Sequence, residues 1–238
     1  MRRIFFLFFS ILLVILSSCK NKDAEYDDIS YYYNVPAIVG YDFTLNHTTL
    51  ITPMETYLAP QLTRYFLTQI VDGDPLLLDF SINNDQEKYE GYIVLYELLY
   101  LTQLRKESSQ ATPNGESVAE GFNSPIENVL PYTFLKDSHY NHNVAFFGFV
   151  HANTVSASTR FVYEMTYDPD ETAEIPTIYL RAKQTDAGIM PYEPFVYFYT
   201  FDLDNFLLER GKFNIMFKTG EDDGKELLEE WEGNPLNL

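Results

Sequence analysis

Apolar residues recur at every second position along most of this chain. Leu76, Leu78, Phe80 and Ile82 fall on one side of a run whose other side holds Leu77, Asp79 and Ser81. Phe161, Tyr163, Met165 and Tyr167 likewise oppose Val162, Glu164 and Thr166, and Phe213, Ile215 and Phe217 alternate with Lys212, Asn214 and Lys218. A period of two belongs to strands, whose successive side chains leave opposite faces of a sheet; a helix would repeat every 3.6 residues. No long helical period occurs in the sequence. The aromatic content of 16% points the same way, because rings suit a pleated, half-buried surface. The expected fold class is all-β.

Five runs precede residue 105: Ala37 to Phe43, Thr48 to Thr52, Arg64 to Ile70, Leu76 to Ile82 and Tyr92 to Leu101. Asp72-Gly73-Asp74-Pro75 is a turn ahead of the fourth. The fifth is apolar on both faces except at Glu97, which predicts a central strand or, alternatively, a buried helix. This many strands in so short a stretch suffice for a small barrel. Arg105 to Asn123 is polar, contains glycine and has almost no large apolar group, so it reads as a domain boundary or long loop. Then follow Val144 to Val150, Phe161 to Tyr167, Thr177 to Lys183, Phe195 to Phe201 and Lys212 to Lys218. Turns such as Asp168-Pro169, Ile175-Pro176 and Met190-Pro191-Tyr192-Glu193-Pro194 separate them, which describes a β-sandwich. Trp231, near the end, is expected to cap that sandwich through a short terminal element.

The first nineteen residues fix where such a fold works. Arg2 and Arg3 precede an apolar run from Ile4 to Leu16, interrupted by Ser10 alone, then Ser17, Ser18 and Cys19. The apolar core falls short of the ~20 residues that span a bilayer, and it has the length of a signal peptide. Small residues before the cysteine make this a lipobox, in which Cys19 is acylated and becomes the first mature residue. An ordinary secretory signal with a cysteine nearby by chance is the alternative; against it, Cys19 is the one cysteine in the chain. Once it carries lipid there is no disulfide, no cysteine nucleophile and no cysteine-ligated zinc site. The fold must stand on its core alone.

Residues 19–34 read as a tether. Its acidic beginning resembles the export signals that carry Bacteroidetes lipoproteins to the cell surface, with Lys20 and Lys22 diluting the pattern; a plain solvated spacer is the alternative. Tyr31 to Tyr33 read as an opening strand over the domain edge, or else as an exposed adhesive patch. The formal charge is −19, and losing Arg2 and Arg3 with the signal makes it two units more negative. Such a surface repels phosphate backbones, so nucleic acid is excluded as a partner. It is equally unattractive to anionic lipid, so bilayer contact runs through the acyl chains at about 0.8 kcal/mol per buried CH₂.

Two runs carry a family resemblance: Gly73-Asp74-Pro75-Leu76-Leu77-Leu78-Asp79-Phe80-Ser81-Ile82, and Phe201-Asp202-Leu203-Asp204-Asn205-Phe206-Leu207-Leu208-Glu209-Arg210-Gly211-Lys212-Phe213-Asn214-Ile215. Both resemble the NigD-like lipoproteins of Bacteroidetes. The resemblance implies an N-terminal OB-like β-barrel and a C-terminal Ig-like β-sandwich behind the lipobox, here a signal peptide at 1–18, a tether at 19–34 and domains at 35–108 and 124–238. It also implies a bacterial outer-membrane lipoprotein, on the periplasmic or surface face, linked to a bacteriocin-associated locus. It implies no catalytic residues. The second run also resembles the strand-corner-strand connection of Ig-like sandwiches, with Phe213 where a corner tyrosine sits.

Chemistry is sparse in the sequence. It has no Gly-x-Ser-x-Gly elbow, no His-Glu-x-x-His, no phosphate-binding loop and no dinucleotide turn. His139, His142 and His151 form the one grouping with metal-ligand character, suited to zinc or copper as neutral imidazoles; hydrogen-bonded loop histidines are the plainer reading. Asp202, Asp204 and Asn205 crowd one turn, Asp168, Asp170 and Glu171 another, and Glu221, Asp222 and Asp223 a third. None has the spaced oxygens of a calcium loop, and solvated turns account for them. Tyr140, Tyr192 and Trp231 are candidates for stacking on sugar rings. The expectation is a non-enzymatic envelope interaction or structural module without cofactor, touching the bilayer through Cys19 and an envelope protein or glycan through its loops. The alternative is a carbohydrate-binding accessory lipoprotein of a polysaccharide-uptake system; a hydrolase is a third reading without the expected constellation of residues.

Overall fold

A computed structural model describes residues 28–63, 69–137, 142–151, 160–186, 196–210, 212–219 and 226–232. The described chain is all-β, in three sheets. The first sheet holds β1 (Ile29–Asp42), β2 (His47–Ile51), β3 (Thr56–Leu58), β4 (Pro75–Asn83), β5 (Ile93–Val94) and β6 (Glu97–Gln103) in the order β5-β3-β2-β1-β4-β6, with a single helical turn, α1 (Pro60–Thr63), after β3. Only the β3–β5 pair runs parallel. The alternation does what the pattern requires: Leu76, Leu78, Phe80 and Ile82 are buried in one core with Val35, Leu50 and Tyr57. The expected turn before β4 is present, with Gly73 at φ 82° and the Val71 amide donating to Asp74 Oδ2 at 2.8 Å.

Strand β1 begins at Ile29, so Tyr31 to Tyr33 open a strand. Tyr32 turns inward and stacks on Phe80, centroids 5.2 Å apart. A register shift between Tyr32 and Val35 puts Asn34 at φ 52°, and its amide donates to Asp79 Oδ1 at 2.7 Å. Of the expected strand Arg64 to Ile70, residues 64–68 lie outside the described residues.

The segment Tyr92 to Leu101 is not a helix, and it is not a central strand. It is broken at Leu95 and Tyr96 into β5 and β6, which stand at the two ends of the sheet order. Tyr96, Leu99 and Tyr100 are exposed; an apolar sequence on both faces did not mean a cover on both faces. The Leu95 amide bonds Leu58 O and the Tyr96 amide bonds Ser81 O, both at 2.9 Å. The ladders do not close into a barrel among the described residues.

The polar stretch Arg105 to Asn123 is more than a loop. It contributes β7 (Lys106–Ser108), β8 (Gln110–Ala111) and a 3₁₀ turn at Pro113–Gly115. The remaining strands are β9 (Asn128–Asp137), β10 (His142–Val150), β11 (Arg160–Tyr167), β12 (Thr177–Asp186), β13 (Val196–Asp202), β14 (Lys212–Lys218) and β15 (Glu226–Glu232). They form a four-stranded sheet, β7-β13-β10-β9, and a five-stranded sheet, β15-β14-β12-β11-β8. β7 pairs in parallel with β13, and β8 in parallel with β11. Between β13 and β14 the chain forms a short helix, α2 (Asn205–Arg210), whose Leu207 amide is capped by Asp204 Oδ1.

Strand β10 explains how the parts stack. Ala145, Phe147 and Phe149 enter the core between the second and third sheets. Val144 and Phe146, on the opposite face, pack with Leu135 against Ile38 and Ile51 of the first sheet. The run Val144 to Val150 is apolar on both faces because it is buried on both faces. Lys106 fastens the same junction, its Nζ bonding Gly73 O at 3.1 Å and lying 3.4 Å from Asp202 Oδ2.

The outer face of the third sheet carries a buried charge. Glu164 is 4% exposed, and Arg181 Nη1 lies 3.6 Å from its Oε1. The guanidinium donates to Thr166 Oγ1 and to Gly115 O, each at 2.7 Å, so it pins the 3₁₀ turn onto the sheet. Gly115 has φ 66°, and a Cβ there would sit 2.1 Å from the Tyr179 ring. Only glycine fits.

Candidate functional site: an aromatic groove at the open edge of the sandwich

β7 covers only Thr200 to Asp202 of β13, and β8 covers only Thr166 and Tyr167 of β11. The other halves, from Val196 to Tyr199 and from Arg160 to Met165, have no strand beside them on that edge among the described residues. Between them lies a groove of about 520 Å³, lined by Arg105, Arg160, Phe161, Tyr163, Tyr197 and Tyr199, with Phe198 and the segment Thr102 to Leu104 at its side. Among the described residues that line it there is no carboxylate. Neither arginine meets one within 4 Å among the described residues, and guanidinium stays charged at any accessible pH.

The floor of the groove is a packed ring cluster. His151 stacks on Phe161, Phe149 stacks on Tyr163 at 3.9 Å between centroids, and Tyr197 meets Phe161 edge-on at 5.3 Å. His151 is 2% exposed. Its Nδ1 bonds Pro125 O at 2.8 Å and its Nε2 contacts the Tyr163 hydroxyl at 2.9 Å. A carbonyl only accepts, so the proton sits on Nδ1 and Nε2 accepts from Tyr163. Burial holds the His151 pKa below its ordinary value and raises that of Tyr163. Tyr199, desolvated and donating to Glu107 Oε1 at 3.2 Å, is pushed up to about 12. These rings are neutral near pH 7, so among the described lining residues the charges are those of Arg105 and Arg160, with the Glu107 carboxylate at the Tyr199 hydroxyl.

Other residues that the sequence offered are placed apart from it. Cys19, His139, Tyr140, Tyr192 and Glu221 to Asp223 lie outside the described residues. His142 begins β10 and His151 follows its end. Nine residues at about 3.3 Å each separate them by roughly 30 Å, too far to share an ion. Both nitrogens of His151 are already engaged in the core. Among the described residues no group of three His, Cys, Asp or Glu gathers as metal ligands. The acidic turns brace backbone: Asp168 Oδ1 takes the Asp170 amide, Glu171 takes the amide and hydroxyl of Thr177, and Asp204 caps α2. Trp231 lies in β15 opposite Phe213, so the terminal element is an edge strand. The sequence reading missed Arg105 and Arg160. Each adjoins an apolar alternating run, but their meeting depends on how the two sheets stack.

No protein-family model matches the chain, and no curated protein does. Solved structures do. An uncharacterized protein from Parabacteroides merdae superposes with a TM-score of 0.61 at 13% identity, over 85% of this chain and 94% of that one. A candidate lipoprotein from Bacteroides fragilis gives 0.59 at 14% identity, over 88% and 99%. The chain shares their fold. A NigD-like immunity protein from Bacteroides caccae also matches, at 14% identity over 88% of this chain and 99% of that one, with a TM-score of 0.39. Among the described residues no helix is long and apolar enough to cross a membrane.

Proposed function

We propose that this chain is a non-enzymatic interaction module of the cell envelope, anchored in the outer membrane through acylated Cys19. The groove carries the reading. It gathers aromatic side chains and two permanently charged guanidiniums at a sheet edge, the composition of a recognition surface, while His151 and the described acidic turns serve the scaffold. The NigD-like resemblance adds a place in a bacteriocin-associated locus. Strand order supports the finer architecture: β1 to β3 in sequence, β5 parallel to β3, and the continuous segment Ile93–Gln103 passing over to β4 follow the connectivity of a partly open OB-like barrel. The sandwich is read as Ig-like, and its first strands are β7 and β8, so the units divide near Leu104.

A carbohydrate-binding accessory role is the second reading, favoured by Tyr197 and Phe198 at the groove. Cys19→Ala tests the anchor: the protein should leave the membrane fraction and lose palmitate labelling. Retention with label intact would overturn it. A glycan array probed with the mature chain tests the second reading.

A further inference from the structure

We propose that the groove is a strand-addition site, which takes an extended, acidic peptide segment of a partner protein along the free edge of β13 and sets its carboxylates against Arg105 and Arg160. The proposal deepens the reading of the chain as an interaction module, and rests on it.

Backbone geometry supplies the first argument. The Thr200 amide and hydroxyl both bond Arg105 O, at 3.1 and 2.8 Å, on the side of β13 away from β10. Thr200 is therefore a residue whose main-chain groups face β7, and in an antiparallel ladder every second residue does the same. Phe198 and Val196, opposite Gly148 and Val150, point their amides and carbonyls to that edge. β7 has ended there, and the chain leaves through Leu104, whose amide bonds Pro75 O at 2.9 Å. Among the described residues no strand pairs with them there, and a row of open main-chain groups is a template for another strand. β7 shows that this edge accepts one in parallel.

Charge gives the second argument. The chain has 35 acidic against 16 basic side chains, yet among the described residues that line the groove none is acidic and two are basic. Two acids stand at its border: Glu107 accepts from Tyr199, and Asp186 is the cross-strand partner of Arg160 in the β11–β12 ladder. An acidic segment is repelled over most of this surface and drawn to this place, which fixes both site and register.

Ring packing favours peptide over sugar at the floor of the groove, where Phe161 is 7% and Tyr163 3% exposed, each with one face against another ring, His151 and Phe149. Tyr197 and Phe198 are half-buried and are the rings on which the glycan reading rests. The stretch from Val196 to Tyr199, which has no strand on that edge among the described residues, has room for about four residues of strand, roughly 13 Å.

The test is selection of a random-peptide display library on the purified mature chain, followed by affinity measurement with the synthetic peptides recovered. Selected peptides should share a proline-free core of about four residues with at least two Asp or Glu. Methylating core backbone amides, or the double variant Arg105→Glu/Arg160→Glu, should each weaken binding about tenfold or more, near 1.4 kcal/mol. The double variant should keep the wild-type unfolding temperature; if it does not, the N-methylated peptides on the wild-type protein decide alone. No enrichment, enrichment without acidic residues, or indifference to amide methylation overturns the proposal. So does an oligogalacturonate that binds the groove while peptides do not. A partner that binds equally well to wild type and double variant would sink this inference and leave the module reading intact. A substrate turned over by the chain would sink the module reading itself.

Discussion

His151 lies flat on Phe161, with ring centroids 3.7 Å apart and planes within 5°. Burial of the imidazole disfavours a second proton and outweighs the Pro125 carbonyl, which favours one. Since burial lowers its pKa in the folded chain, the unfolded chain binds a proton near pH 6.5 that the folded chain refuses. Stability should therefore fall as pH drops through that value. His151→Gln keeps polar atoms without the titration and should flatten the change between pH 7.5 and 5.5. Urea midpoints of both proteins at the two pH values check it; equal pH dependence would refute it.

At the alkaline end Tyr57 and Tyr199 act in the same direction as each other. Both are 3% exposed and are pushed up to about 12, Tyr57 by burial and then by Tyr32 and Glu55. Their folded pKa values are raised, so the stability they contribute is present below pH 10 and is lost between about pH 10 and 12. Absorbance of tyrosinate should show a class of tyrosines that ionises only as the protein unfolds. A smooth titration near pH 10 with structure retained would contradict this.

Arg181→Met removes the cation beside a carboxylate that is almost fully buried, and should cost about 3–5 kcal/mol. Adding Glu164→Leu should recover much of that loss, because the orphaned charge goes with it. The comparison needs denaturant curves of both single variants and the double. If the double variant is as unstable as the sum of the singles, the pair is not coupled.

Phe146→Ala empties the contact between β10 and the first sheet, where Phe146 is 1% exposed beside Ile38 and Ile51. A loss of about 3–5 kcal/mol is expected from the removed ring and its cavity. Chemical denaturation followed by circular dichroism measures it, and a change below about 1 kcal/mol would show that the two units do not share this core.

Much of the fold was legible because half-buried sheets write their faces into the sequence. The alternation from Leu76 to Ile82, from Phe161 to Tyr167 and from Lys212 to Lys218 marks β4, β11 and β14 directly. Short polar strands leave no such trace. Lys106 to Ser108 and Gln110 to Ala111 are strands because a sheet edge is there to receive them, and nothing in their own composition says so. Leu99 and Tyr100 misled in the opposite sense, as apolar residues left in water. The groove was hidden for a related reason: Arg105 and Arg160 are 55 positions apart in sequence, and only the stacking of two sheets brings them together.

The short strands β7 and β8 also set a timetable. Thr200 and Arg105 are 95 positions apart, and Thr166 meets Gly115 across 51. As the chain is synthesised, the pieces that complete both sheets emerge long before the strands they will flank. Contacts of such long span form slowly, since the intervening chain must first be drawn into a loop. The edge of the sandwich should thus be the last part of this protein to close, the other strands of both sheets pairing before β7 and β8 dock onto them.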